Sequence, residues 1–165
     1  MKDAMLIVGV QADILEYGVV HADLISVVGH LGLNQLRHHY ESSGFRSRYN
    51  LPEAPFDGTS HECPRVVPLR GVAGAKEIMF LSDEGRELSD EQLEIALRTT
   101  LDYADERGFR RVAFSGARPP QGVEGYQARV EWTKKCARTW TEAHAQSCIE
   151  QLSLVSLTDG YVRFV

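Results

Sequence analysis

The sequence predicts an α/β fold, a three-layer α/β/α sandwich on a mostly parallel, mixed central sheet. Three observations predict it. Apolar-rich segments at 4–10, 24–28, 76–82 and 152–157 are too short for helices and read as strands, the first being a continuous apolar run typical of a buried strand. Two amphipathic helices lie among them, one after Ser89 and one carrying Trp132, Cys136, Trp140 and Ala143. Strands that alternate with helices in this way pair in parallel through right-handed crossovers, and the helices cover both faces.

The elements follow in order. The first strand is expected at 4–10, then a polar break at 11–17, then Val19-Val20 and a second strand at 24–28. Leu33, Leu36 and Tyr40 recur at helical spacing before Gly44, which predicts a short helix with a glycine stop. Residues 45–75 hold four of the six prolines (Pro52, Pro55, Pro64, Pro68), so this part is expected to be irregular, with a short strand at 66–69. A stronger strand follows at 76–82. Ser89 and Gln92 form a capping box, and Leu93, Leu97, Leu101 and Ala104 lay one stripe along a helix that stops at Gly108. A strand at 109–115, a glycine- and proline-containing loop at 116–125, a long helix to about 150, a strand at 152–157 and an Asp159-Gly160 turn complete the chain. No repeat of 20–50 residues and no linker between two cores is visible, so residues 1–165 are expected to form one domain.

Composition narrows the function. With 43% apolar and 25% charged residues, the chain has the makeup of an ordinary globule. The 18 basic and 23 acidic residues leave a net charge of −5, which disfavours nucleic-acid and anionic-membrane partners, since those rest on phosphate neutralisation. No apolar run approaches the roughly 20 residues of a membrane span or the makeup of a secretory leader. Three cysteines without paired spacing argue against a disulfide framework and for a reducing compartment, the cytoplasm.

The richest chemistry lies after the strand at 109–115. Gly116, then Gly122, Val123, Glu124, Gly125 and Tyr126, run from a strand end into a helix start. Glycines there let amides approach a ligand, and the helix dipole favours an anion, so the segment reads either as a phosphate-binding loop or as a plain turn. Gly71 and Gly74 precede a strand and lack that dipole. No P-loop, dinucleotide fingerprint, nucleophile elbow or triad spacing is present. His38-His39 and His61/Cys63 lack the paired spacing of a zinc site, so no metal is expected. Asp13, followed by Ile14 just after the first strand, reads as an acceptor for a base amine or as a turn-forming aspartate bonded to its own backbone.

Taken in order, these segments resemble the macro-domain family, whose members bind ADP-ribose and related nucleotides. Ala12-Asp13-Ile14 is similar to the family's Gly-Asp-Ile, in which the acid contacts adenine. Residues 23–28 resemble its Asp-Ala-Ile-Val strand, and 32–36, with Gly32 and Asn34, lie where the family opens a helix with a glycine-rich loop. Val112-Ala113-Phe114 and then 122–126 are similar to its second phosphate loop, and Tyr161 falls where an aromatic packs on adenine. The resemblance implies a binding module for ADP-ribose or a related nucleotide, with no cofactor.

The departures bear on activity. The family's Asn-Ala-Ala-Asn is replaced by Val27-Val28-Gly29-His30, so its carboxamide is missing unless His30 or Asn34 takes its place. Glu124 stands where an aromatic covers the ribose. Two alternatives follow: an ADP-ribosyl hydrolase with an altered active site, using His30 or Glu124 as base, and a ligand-free scaffold for a protein partner.

Overall fold

A computed structural model of the chain describes residues 5–29, 40–41, 44–70, 74–84, 88–116, 123–157, 161–162 and 165. The described elements are β1 (Leu6–Gln11), α1 (Ile14–His21), β2 (Leu24–Gly29), α2 (Phe45–Arg48), β3 (Arg65–Pro68), β4 (Glu77–Ser82), α3 (Asp90–Arg107), β5 (Arg111–Ser115), α4 (Val123–Ala143) and β6 (Gln151–Ser156). The strands form one sheet in the order β1-β6-β5-β2-β4-β3, parallel throughout except for β3, which runs antiparallel to β4. The predicted mostly parallel, mixed sheet is therefore present.

Side-chain alternation explains the three layers. Along β2 and β4, Leu24, Val28, Met79 and Leu81 point to one core, while Ile25, Val27, Ile78 and Phe80 point to the other. The first core is closed by Leu93, Leu97 and Leu101 of α3 and by Val130, Ala137 and Trp140 of α4. Ile14 and Leu15 of α1, with Tyr40 and Phe45, close the second. Each fully buried leucine in these layers contributes about 1.5–3 kcal/mol. Ser26 faces α3 and meets the Thr100 hydroxyl at 2.8 Å, so these two buried hydroxyls satisfy each other.

Two expectations are corrected. The stretch 11–17 is not a polar break, because α1 starts within it at Ile14. Gly18 lets this helix lie directly on β2, where any Cβ would collide with Ile25. The last long helix stops at Ala143 rather than near 150. Beyond it the His144 amide donates to the Thr141 carbonyl at 3.1 Å in a tighter turn, and the imidazole stacks on Trp140 with centroids 4.0 Å apart. The capping box at Ser89 and the left-handed Gly108 stop (φ 75°) are both present on α3. The helix expected around Leu33 and Leu36 lies outside the described residues.

The amino ends of the inner strands are tied at Asp23. Its carboxylate accepts from the Arg110 and Arg111 amides at 2.9 Å each, and its carbonyl accepts from the Lys76 amide at 2.8 Å. This joins the starts of β2, β4 and β5. None of the three cysteines, all of them described, forms a disulfide. No helix among the described residues is long and apolar enough to cross a membrane.

Candidate functional site

Because five strands run in parallel, their carboxyl ends (Gln11, Gly29, Ser82, Ser115, Ser156) gather at one end of the sheet. β1 and β5 both border β6, so the passages from β1 to α1 and from β5 to α4 leave that end one strand apart. Ligands of open α/β sheets bind at such an end, where loop amides and helix starts converge.

The first passage is short. The Ala12 amide donates to the Ser156 carbonyl at 3.0 Å, extending the β1–β6 register by one residue. Asp13 then takes an extended backbone (φ −73°, ψ 130°) and caps α1, its Oδ1 accepting from the Leu15 amide at 2.9 Å and the Glu16 amide at 3.1 Å. The local-backbone reading of Asp13 is thus the observed one, and it puts a carboxylate at the mouth of the sheet. Ile14 points the other way, into the core beneath α1.

At the second passage, Gly116 follows the last residue of β5. A Cβ at this position would collide with the Tyr161 hydroxyl, and a Cβ at Gly9 would collide with the Tyr161 carbonyl. Tyr161 therefore reaches from β1 to β5 across β6, on the α3/α4 face. Tyr161 is 5% exposed and belongs to that core. Glycine at 116 is explained by this contact, whatever else the loop holds. α4 begins at Val123, with Gly125 in its first turn. Only the helical backbone is described for Val123, Glu124 and Tyr126, and His30, Gly32, Asn34 and Gly122 lie outside the described residues.

A further polar pair at this end was not singled out in the sequence. Ser82 and Asp83, both buried, close β4 beside the end of β2, with the Asp83 amide donating to the Gly29 carbonyl at 3.4 Å. Ser82 Oγ accepts from the Glu84 amide at 2.9 Å, which holds Glu84 at a left-handed φ of 55°. The available signal was two polar residues ending an otherwise apolar strand.

Ionisation is displaced at three described groups. Burial raises the Tyr40 phenol to about 12, and the Tyr40 hydroxyl donates to the Pro52 carbonyl. Burial also raises the Cys136 thiol to about 11, with Glu94 and Asp90 adding to it. Tyr103 is raised first by burial and then by its hydrogen bond to Glu77. Among the described residues no group of three or more histidine, cysteine or acidic side chains could hold a metal ion.

No protein-family model and no curated protein matches the sequence. Solved structures match it by shape. A Trypanosoma brucei macrodomain in complex with ADP-ribose aligns at a TM-score of 0.64 and 15% identity, over 96% of this chain and 66% of that one. A macrodomain from Oceanobacillus iheyensis aligns at 0.57 and 13%, over 96% and 87%. A tomato leucine aminopeptidase aligns at 0.59 and 15%, over 96% of this chain and 34% of that one, so the chain spans about a third of that protein's length. At these identities the fold is what is shared. It is the macrodomain fold, as the resemblance implied.

Proposed function

We propose, on the premise of a macrodomain fold, that this chain binds ADP-ribose or a related nucleotide at the carboxyl end of its sheet. The observation that carries this reading is the pair of strand-to-helix passages opening one strand apart, with the Asp13 carboxylate at one and the start of α4 at the other. In this reading Asp13 accepts a hydrogen bond from the base amine while still capping α1. The backbone of 122–126, with Gly116 before it, cradles the phosphates, and Tyr161 borders the base. The trypanosomal macrodomain in complex with ADP-ribose supports the choice of ligand at the level of fold.

Calorimetry with ADP-ribose on the wild type and two variants tests it. Asn keeps a capping oxygen but loses the charge, so Asp13→Asn is expected to weaken binding tenfold or more, about 1.4 kcal/mol, with little change in melting temperature. Asp13→Ala is expected to lose binding and also about 1 kcal/mol of stability. Absence of heat at about millimolar ADP-ribose, a floor near 4 kcal/mol of binding energy, would reject the reading.

One observation favours a second reading. The Tyr161 ring is packed into the core with its hydroxyl against Gly116, which narrows the mouth of β5. A scaffold that has given up its nucleotide and serves protein contacts accounts for that packing. Under it, Asp13→Asn leaves nucleotide titrations as flat as those of the wild type.

A further inference from the structure

The two edges of the sheet are unlike. β3 forms one edge and carries Arg65 and Pro68, a charge and a residue with no amide to donate. β1 forms the other. The Leu6 amide bonds the Glu150 carbonyl at 2.9 Å and the Ala12 amide bonds the Ser156 carbonyl at 3.0 Å, so the even-numbered residues turn their backbone toward β6. The N–H and C=O of Ile7, Gly9 and Gln11 consequently point outward, and no described strand pairs with that side. No charged residue lies between Met5 and Ala12. Among the described residues, four of the five exposed large hydrophobic side chains flank this strand. They are Leu6 (56% exposed), Leu157 (45%), Val162 (53%) and Val165. Leu157 accepts a hydrogen bond from Gln11 Nε2 at 3.2 Å, the Val162 amide nitrogen lies 3.0 Å from where a Gly9 Cβ would stand, and the Val165 amide bonds the Tyr161 carbonyl.

We infer that β1 pairs with the β1 of a second copy of this chain, extending the sheet across a two-fold axis at Gly9. Antiparallel pairing about that axis sets Ile7 opposite Gln11 of the partner subunit and Val8 opposite Val10 of the partner subunit, and it brings Val162 near its own copy. A second copy fits better than a charged partner. The strand is uncharged in a chain of net charge −5, and an isologous contact matches apolar surface with itself. The axis points the two carboxyl ends of the sheet in opposite directions, so the pairing uses none of the residues proposed for the nucleotide. A failure of nucleotide binding leaves it untouched.

Sedimentation equilibrium of the full chain from about 1 µM to about 1 mM, with hydrogen exchange over the same range, tests it. The expected result is a monomer–dimer equilibrium in which the Ile7, Gly9 and Gln11 amides gain protection as concentration rises. Val8→Lys places a lysine in the seam, as natural sheet edges do, and Val162→Asp places two like charges near the axis. Each is expected to weaken self-association about tenfold or more while the melting temperature of the dilute monomer stays the same. A monomer at every concentration would overturn the proposal, as would a dimer indifferent to both substitutions. Protection that does not change on dilution would mean that the edge is covered within one chain, and it would overturn the proposal as well.

Discussion

Tyr161 lays its carbonyl over Gly9 and its hydroxyl against Gly116, so a side chain at either glycine must displace a buried ring or its backbone. Gly116→Ala is expected to cost about 1–3 kcal/mol in urea unfolding. Tyr161→Phe removes the colliding oxygen and is expected to recover part of that loss in the double variant, a coupling that a cycle of the four proteins measures directly. The destination of Tyr161 is not legible in the sequence, because it depends on two glycines far from it along the chain, Gly9 within β1 and Gly116 just past β5. The place of Asp13 was legible, since an aspartate after an apolar strand marks a strand end. Its two amide partners are not legible there, because they belong to the first turn of a helix that the sequence does not announce. Ser82 and Asp83 match no motif, and only the parallel pairing of β2 with β4 brings them to the mouth.

Among the elements, those with their own punctuation could be read in advance. α3 carries Ser89, Gln92 and Gly108 around a continuous leucine stripe, and its observed limits agree with that reading. Ser89→Ala is expected to lower stability by about 1 kcal/mol through loss of the bond to the Gln92 amide, as a thermal melt would show. α1 was missed for a physical reason. It is only eight residues long and buries Ile14, Leu15 and Gly18, and a glycine contributes no hydrophobic signal even though its lack of a side chain is what seats the helix on β2. Gly18→Ala therefore reverses the usual helix preference and is expected to destabilise by about 1–3 kcal/mol, because the added methyl meets Ile25. The end of α4 is not marked in the sequence, since no glycine or proline follows Ala143 until Gly160. The bond from the His144 amide to the Thr141 carbonyl tightens the chain just past Ala143, and the tertiary hydrogen bond from Trp140 Nε1 to Asp102 pins the last turn of α4 to α3.

At the scale of the molecule, the two cores set the response to alkaline pH. Tyr40 and Cys136 are held protonated by burial, at about 12 and about 11 against ordinary values of 10.0 and 9.0. The unfolded chain releases these protons first. The stability they contribute is therefore complete below about pH 9 and is lost as pH rises through 11 to 12, on the order of 3 kcal/mol for Tyr40. Urea midpoints measured from about pH 8 to 11.5 are expected to fall steadily, and Cys136→Ala is expected to remove the onset of the fall. At neutral pH the same burial is expected to make Cys136 slower than the exposed Cys63 toward iodoacetamide, a difference that peptide mass mapping would show.

Asp23 gives this architecture a property that matters for its use. The aspartate knots three inner strands together at the end of the sheet remote from the proposed ligand, so the chassis is braced away from the rim proposed to bind it. Loops at the opposite rim can then be exchanged or lengthened without loosening the frame that carries them. Redesign for a new small molecule should begin at that rim and leave Asp23 alone.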